Sequence, residues 1–314
     1  MILLTGGTGF IGRSVLRKLA EFGYPVRTLL GPSRSSPDLP RGVAVDVTLA
    51  ALSDRRSIRA SLVGVKTVIH LAGAEGQWGA ESRLASDVAG THTIAEAAAD
   101  AGVQHIIYLS HLGADRSSAY PAMRARAMAE EHLRVSGVPF TIIRTTVIFG
   151  RLDSFTTSLA IMLAVAPLIF PIPGDGSILF QPLWVEDLAT CITWALDEPS
   201  TIGQTIEIGG PEFLSLLQIL HMIMRAASSP RILLPTRPPY LKASAWLLER
   251  LMPQPPVTPL WLDYLAVSRT TDLNTLPRVF GLQPSRMEGN LSYLQERNWG
   301  WELLARQFLT RRRG

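Results

Sequence analysis

The residues with the plainest chemistry open the chain. Gly6, Gly9 and Gly12 recur at every third position in Thr5-Gly-Gly-Thr-Gly-Phe-Ile-Gly12. Glycines spaced this way permit a tight turn and let backbone N–H groups approach a phosphate, provided a strand precedes them and a helix follows. Both conditions hold. Ile2 to Leu4 are apolar, and Arg13 to Gly23 carries Val15, Leu16 and Leu19 in a helical rhythm that stops on a glycine. Strand, glycine turn and helix together predict a dinucleotide cradle, with the pyrophosphate at the helix N-terminus. The next strand, Val26-Arg-Thr-Leu-Leu-Gly31, offers no Asp or Glu at its end to bind a ribose 2′-hydroxyl. Arg34 follows, between Ser33 and Ser35, and a guanidinium suits a 2′-phosphate through bidentate, charge-assisted bonds. NADP(H) is therefore expected in preference to NAD(H).

The elements that must carry this turn alternate through the first 150 residues. Apolar strands are expected at Gly42 to Asp46, Val65 to Gly73, His105 to Ser110 and Pro139 to Phe149. Helices are expected at Ser53 to Leu62, Ser86 to Ala101 and Pro121 to Val135, with Pro121 suited to a first helical position. That alternation predicts an α/β fold, a doubly wound parallel (Rossmann) sheet covered on both faces. After residue 150 the chain changes character. Phe155 to Pro173 is apolar and broken by prolines, a helix follows Pro182 to Thr190, and Gln204 to Pro211 reads as a last core strand. Beyond it come helical segments at Ser215 to Ala227 and Pro239 to Leu251, with proline-rich linkers. The expected division is a dinucleotide-binding core over 1–150, with 183–210 returning to it. A smaller, mainly helical C-terminal lobe takes 151–182 and 211–314.

Composition narrows the function classes. The 314 residues are 47% hydrophobic, yet no run of eighteen apolar residues escapes a proline or polar break, so no membrane-spanning helix is expected. The first strand begins at Met1, which predicts no secretory signal. Cys191 is the single cysteine, which excludes an internal disulfide framework and a multi-cysteine metal site and points to a reducing, cytoplasmic setting. No metal is expected. The net charge is +4, and Arg311, Arg312 and Arg313 account for much of it. They read as a solvated end rather than a nucleic-acid arm, with contact to an anionic membrane surface left open.

An ordered set of phrases resembles the extended or atypical branch of the short-chain dehydrogenase/reductase superfamily. The phrases are Thr5 to Gly12, Asp46, His70-Leu-Ala-Gly73, Gly90 to Ala98, Ile107 to Ser110, Arg144 to Gly150, Val185 to Ala189 and Ile208 to Pro211. Tyr108 to Asp115 and Pro171 to Gly176 resemble the subgroup similar to the nucleotide-binding accessory subunit of respiratory complex I. The resemblance implies that Gly6, Thr8, Gly9 and Gly12 face the pyrophosphate, with Phe10 and Ile11 offering N–H groups. It implies that Asp46 accepts from the adenine amino group beside Val47. Leu71, Ala72 and Gly73 would line the adenosine, and Thr145 and Thr146 would lie near the nicotinamide. Family members often place an arginine directly after the second strand, where this chain has Gly31. Asp187 is read as a carboxylate at a helix start, holding free backbone N–H groups.

Active members of that superfamily use a Tyr and a Lys four residues apart on one helix, with a Ser near the end of the preceding strand. This chain has only Lys18, Lys66 and Lys242, and none between residues 67 and 241. Two replacements stay open. Tyr120 and Arg124 have the four-residue spacing. Alternatively Arg126, four residues before Glu130, stands where the register against the family is better, which places Ala122 at the Tyr position. Arg126 could then bind ribose hydroxyls. Tyr120 and Ser110 are the candidate catalytic residues, with His111 a lesser candidate. The expected function is a protein that holds NADP(H) as an accessory or assembly subunit of a larger, membrane-associated electron-transfer complex, peripheral on the cytoplasmic face. The apolar C-terminal lobe, with Trp246 and Trp261, would be its docking surface. The alternative is an active NADPH-dependent reductase, epimerase or dehydratase on a small or apolar substrate.

Overall fold

The computed structural model describes residues 1–32, 39–73, 81–252, 255, 257–265, 267–295 and 297–302. The elements run β1 (Ile2–Thr5), α1 (Phe10–Glu21), β2 (Val26–Leu30), β3 (Asp46–Leu49), α2 (Arg55–Ser61), β4 (Thr67–His70) and α3 (Glu81–Asp100). They continue with β5 (His105–His111), α4 (Pro121–Arg134), β6 (Phe140–Thr145), β7 (Ile148–Phe149), α5 (Phe155–Val165), β8 (Ile169–Pro173), β9 (Leu179–Phe180) and β10 (Leu183–Trp184). Last come α6 (Val185–Trp194), β11 (Thr205–Ile208), β12 (Leu214–Ser215), α7 (Leu216–Ala226), β13 (Ile232–Thr236), α8 (Pro238–Leu251), α9 (Pro259–Tyr264) and α10 (Thr275–Phe280).

The chain divides into two compact units. The first comprises Met1–Thr145, Val185–Ile208 and Asn274–Gln283. Its sheet has the order β11-β6-β5-β4-β1-β2-β3, and every neighbouring pair is parallel. All residues of β1 and β5 are buried, as strands covered on both faces must be, whereas edge strand β3 is mostly exposed. Leu3, Val68, Ile106 and Ile142 of the sheet pack with Ile58, Ile94, Ala98 and Leu133 of α2, α3 and α4. On α1, Ser14 and Arg17 both bind Glu186 of α6, in whose first turn Asp187 also falls. The chain winds from β1 outward to β3 and then returns to β4 on the other side of β1. This reversal between β1 and β4 opens a crevice at the C-terminal ends of the strands, where open α/β sheets bind ligands.

The second unit comprises Thr146–Trp184, Gly209–Leu273 and the chain from Pro284 onward. The prolines that interrupt its apolar sequence fall largely in a two-stranded parallel ladder, β8 with β13, where Pro171 and Pro173 meet Leu234 and Thr236. A strand with one open edge tolerates a missing N–H donor. Helix α7 starts on a capping box in which Ser215 and Gln218 each bind the other's backbone N–H. Asp153 is buried and accepts from the Gly150, Thr156 and Thr157 N–H groups and from the Thr156 and Tyr293 hydroxyls. Burial pushes that carboxyl upward and pushes the Tyr293 phenol well above its usual range. Among the described residues no helix is long and apolar enough to cross a membrane.

Candidate functional site

The glycine turn lies at the C-terminal end of β1 and runs into α1. Gly6 has φ +76°, and a Cβ there would lie 3.0 Å from the backbone of Leu71 and Ala72. A Cβ on Gly12 would lie 2.0 Å from the Gly6 carbonyl oxygen, so no side chain fits. Gly73, φ +78°, leaves room only for the Asp87 carboxylate, 2.6 Å from where its Cβ would be. Gly9 caps α1 without a side-chain bond, and the first turn holds no acid. A helix start with a positive dipole end and no carboxylate of its own suits an anion. Thr8 is exposed on this turn, Phe10 is half-buried and Ile11 is buried. Leu71 is buried, with Ala72 and Gly73 half-buried beside it. The glycine turn and the end of β4 thus stand side by side, Gly6 against Leu71 and Ala72.

Beneath the turn a buried polar chain ties β1 to β4 and α3. His70, the last residue of β4, lies between the Thr5 hydroxyl (2.7 Å from Nδ1) and the Thr91 hydroxyl (3.0 Å from Nε2). Thr91 gives its proton to the Asp87 carbonyl, so its oxygen accepts from Nε2–H. Nδ1 then accepts the Thr5 proton, and the Thr5 oxygen in turn accepts from the Ala72 N–H. The neutral ring is thus fully bonded. Burial, and the nearby Arg126 guanidinium, push its pKa down to about 3. Nothing in the spacing of the histidines marks His70; only its place at the end of a strand beside the glycine turn gives it this role.

Arg126 of α4 is also buried, and its Nη1 donates to the Tyr108 hydroxyl at 3.1 Å. Tyr108 stacks on His70, the ring centroids 5.6 Å apart. Among the described residues no carboxylate pairs with Arg126. A buried guanidinium facing only a phenol and a neutral imidazole is costly, and an anionic or hydroxyl-rich ligand would compensate it. The strictly glycine-shaped turn, the uncapped helix start and this cation fit a dinucleotide. A bound nicotinamide would supply hydride chemistry; the chain's own residues here bind and orient.

Of the candidate catalytic residues, Ser110 is placed differently from expectation. The Ser110 hydroxyl donates to buried Glu130 at 2.6 Å, which also receives Arg144 (2.7 Å) and Arg134 (3.0 Å). Ser110 is therefore a partner in a buried ion cluster, which corrects the expectation that it holds a substrate oxygen. Thr145 donates to the Ser110 carbonyl and Thr146 to that of Gln181. Tyr120 caps α4 with its backbone, half-buried, and Arg124 bonds the Ser118 carbonyl. His111 is buried at the end of β5.

Asp46 and Val47 require the clearest correction. The strand begins at Asp46 rather than ending there, so both lie at the N-terminal end of β3, paired with Arg27 and Thr28 of β2. The cradle is at the opposite end of the sheet, level with Leu49 and Ala50. Asp46 instead makes an exposed ion pair with Arg27 Nε, 2.7 Å. The apolar run Gly42 to Val45 suggested a strand that tertiary pairing starts four residues later. Arg34 and Arg311 to Arg313 lie outside the described residues.

Comparison with known proteins accords with this geometry. A family described as NAD(P)H-binding matches residues 6–155. The mitochondrial NADH dehydrogenase [ubiquinone] 1 alpha subcomplex subunit 9 of Arabidopsis thaliana is 33% identical over 236 residues, 70% of this chain and 57% of that protein. The Mus musculus protein of the same name is 30% identical over 69% of this chain and 59% of its own length. The chain thus spans less than two thirds of these relatives. A (4-alkanoyl-5-oxo-2,5-dihydrofuran-3-yl)methyl phosphate reductase of Streptomyces griseus is 30% identical over 73% of this chain and 75% of that protein. Among solved structures, a nucleoside-diphosphate-sugar epimerase of Staphylococcus aureus has TM-score 0.73 at 18% identity, covering 94% of this chain and 99% of its own. A Thermus thermophilus UDP-glucose 4-epimerase complex with NAD has TM-score 0.68 at 18% identity, covering 94% and 97%, and shares the fold.

Proposed function

This chain belongs to the NAD(P)H-binding short-chain dehydrogenase/reductase family, and from that premise we propose that it holds NADP(H) as a resident ligand, without using it in ordinary turnover. In this reading it is an accessory subunit of a larger electron-transfer assembly. It would be peripheral on the cytoplasmic face of a membrane, docked through its apolar second unit. The observation that carries the reading is the fate of the polar groups around the nicotinamide end. No lysine occurs between residues 67 and 241, Ser110 is spent on Glu130, and Arg126 is buried against Tyr108. In this reading the dinucleotide-binding residues are kept, whereas the usual lysine is missing and Ser110 is held by Glu130. A ligand present far above its Kd stabilises the fold that binds it, by about 4 kcal/mol at a thousandfold excess, so a site retained without turnover has a physical use.

The preference for NADP(H) rests on the end of β2, where Leu30 and Gly31 supply no acid for a 2′-hydroxyl, and on Arg34 as the proposed 2′-phosphate partner. Gly6, Thr8, Gly9, Phe10, Ile11 and Gly12 would take the pyrophosphate, Leu71 to Gly73 the adenosine, and Arg126 and Thr145 the nicotinamide ribose. The similarity to the Streptomyces griseus reductase favours a second reading, an active NADPH-dependent reductase in which Tyr120 moves the proton.

One experiment separates them. The protein is purified from its native source without added nucleotide, the bound dinucleotide is identified, and co-purifying proteins are counted. NADPH that stays bound and unoxidised, with stoichiometric membrane subunits, supports the accessory role. A solitary protein that oxidises NADPH with a small carbonyl compound overturns it, and tighter binding of NAD(H) overturns the cofactor assignment.

A further inference from the structure

The second unit contains a cavity of about 410 Å³, a size typical of small-molecule sites. Leu159, Phe170, Ile172, Leu220, Leu248 and Trp261 are among its walls, supplied by α5, β8, α7, α8 and α9. Among the described residues that line it none is titratable, and the polar groups are the Ser244 hydroxyl, which donates to the Leu241 carbonyl, and the Trp261 indole N–H, which is buried without a hydrogen-bond partner. One indole N–H and one hydroxyl are too few to hold a sugar or a phosphate. Its chemistry recognises hydrocarbon.

The surface around it is of a different kind. Helix α8 turns Leu241, Ser244 and Leu248 toward the cavity, yet Tyr240, Trp246, Leu247 and Leu251 on the same helix are exposed. Leu168 and Ile169, at the start of β8, and Ile232 and Leu234, on its partner β13, are exposed as well. Large apolar side chains gathered on an exposed surface mark contact with a partner or with lipid. Cations stand among these side chains: Arg237 precedes α8, Lys242 lies on it 2.5 Å from Asp263, and the Arg250 guanidinium covers the Trp246 ring at 4.3 Å. Residues 231–263 carry Arg231, Arg237, Lys242 and Arg250 against Glu249 and Asp263, a surplus of two positive charges. Trp, Tyr and cations beside exposed aliphatic residues are the groups that meet lipid head regions.

We propose that this cavity takes one unbranched hydrocarbon chain of an amphiphile, whose anionic head stays at the mouth beside α8. The inference goes beyond the dinucleotide reading and does not rest on it, because NADPH affinity is read separately in the same samples.

The test uses the full chain and a fatty acid carrying a terminal dansyl group. Saturable one-site binding is expected, with blue-shifted emission and energy transfer from Trp261, which is buried in the cavity wall. Unlabelled saturated fatty acids should displace the probe with affinity rising roughly fourfold per added methylene until the cavity is full. Leu248→Asp and Ser244→Phe should weaken binding by about tenfold or more while NADPH affinity is unchanged. Non-saturating binding, or affinity independent of chain length, overturns the proposal even if both variants misfold. Folded variants that bind within twofold of the parent also overturn it. Co-sedimentation with phosphatidylcholine vesicles containing phosphatidylglycerol, lost in Leu248→Asp, identifies a bilayer phospholipid as the source. Chain-length-dependent displacement without co-sedimentation identifies a free fatty acid. Loss of NADPH binding with fatty-acid binding intact would count against the dinucleotide reading alone.

Discussion

Acidification should weaken the fold through His70, and the size of the effect follows from its bonds. In the folded protein the ring is neutral, with Nε2–H given to Thr91 and Nδ1 receiving the Thr5 proton. Burial penalises the charged ring, and protonation would also place a second cation near Arg126, which is why the pKa is held at about 3 against 6.5 in an unstructured chain. Unfolding below pH 6.5 therefore takes up a proton that the folded state refuses. The stabilisation is complete above pH 6.5, is lost as pH falls, and levels off near 3. Each pH unit in that window costs about 1.4 kcal/mol, so about 2.7 kcal/mol between pH 6.5 and 4.5. The assay is urea unfolding of the parent and His70→Asn across that range. His105, also pushed down by burial, and the carboxylates titrate in both proteins and cancel in the difference. The parent should lose about 2–3 kcal/mol more than the variant. Parallel pH profiles would refute both the tautomer and the burial argument.

Other substitutions test the site itself. Gly12→Ala forces a Cβ to within 2.0 Å of the Gly6 carbonyl oxygen, so calorimetry should show dinucleotide affinity reduced about a hundredfold and a melting temperature lowered with it. Arg126→Met removes a buried cation; the ligand-free protein should keep its stability or gain about 1 kcal/mol, while NADPH affinity falls about tenfold. Unchanged affinity would remove Arg126 from the site. Asp46→Ala should leave the Kd for NADPH within about twofold and cost under about 1 kcal/mol in chemical denaturation, because it breaks only an exposed ion pair. Glu130→Ala strands Arg144 and Ser110 and should cost about 3–5 kcal/mol by the same measurement.

The glycine turn was legible in sequence because its requirement is local. Gly6 and Gly12 are needed where φ is positive or where the turn passes within van der Waals distance of itself, and neither condition depends on distant chain. The strand–helix alternation was legible because hydrophobic period follows burial on one face or two. Asp46 was misplaced because strand limits are set by pairing: β3 starts where Arg27 meets Asp46, and only the register says which end of the sheet that is. Ser110 was misread for a related reason, since its partner Glu130 arrives from a helix twenty residues on.

By itself the sequence determined that a nicotinamide dinucleotide would meet a strand–turn–helix at the front of the chain, and that no lysine could assist it from residues 67 to 241. Residue type and short-range sterics settle those points. The tertiary structure alone decided that His70 is a locked neutral ring under the turn, that Arg126 is a buried cation beside it, and that the apolar second unit encloses a cavity. Each depends on burial and on partners far apart in the chain, and a group's charge state and packing are properties of its surroundings rather than of its residue type.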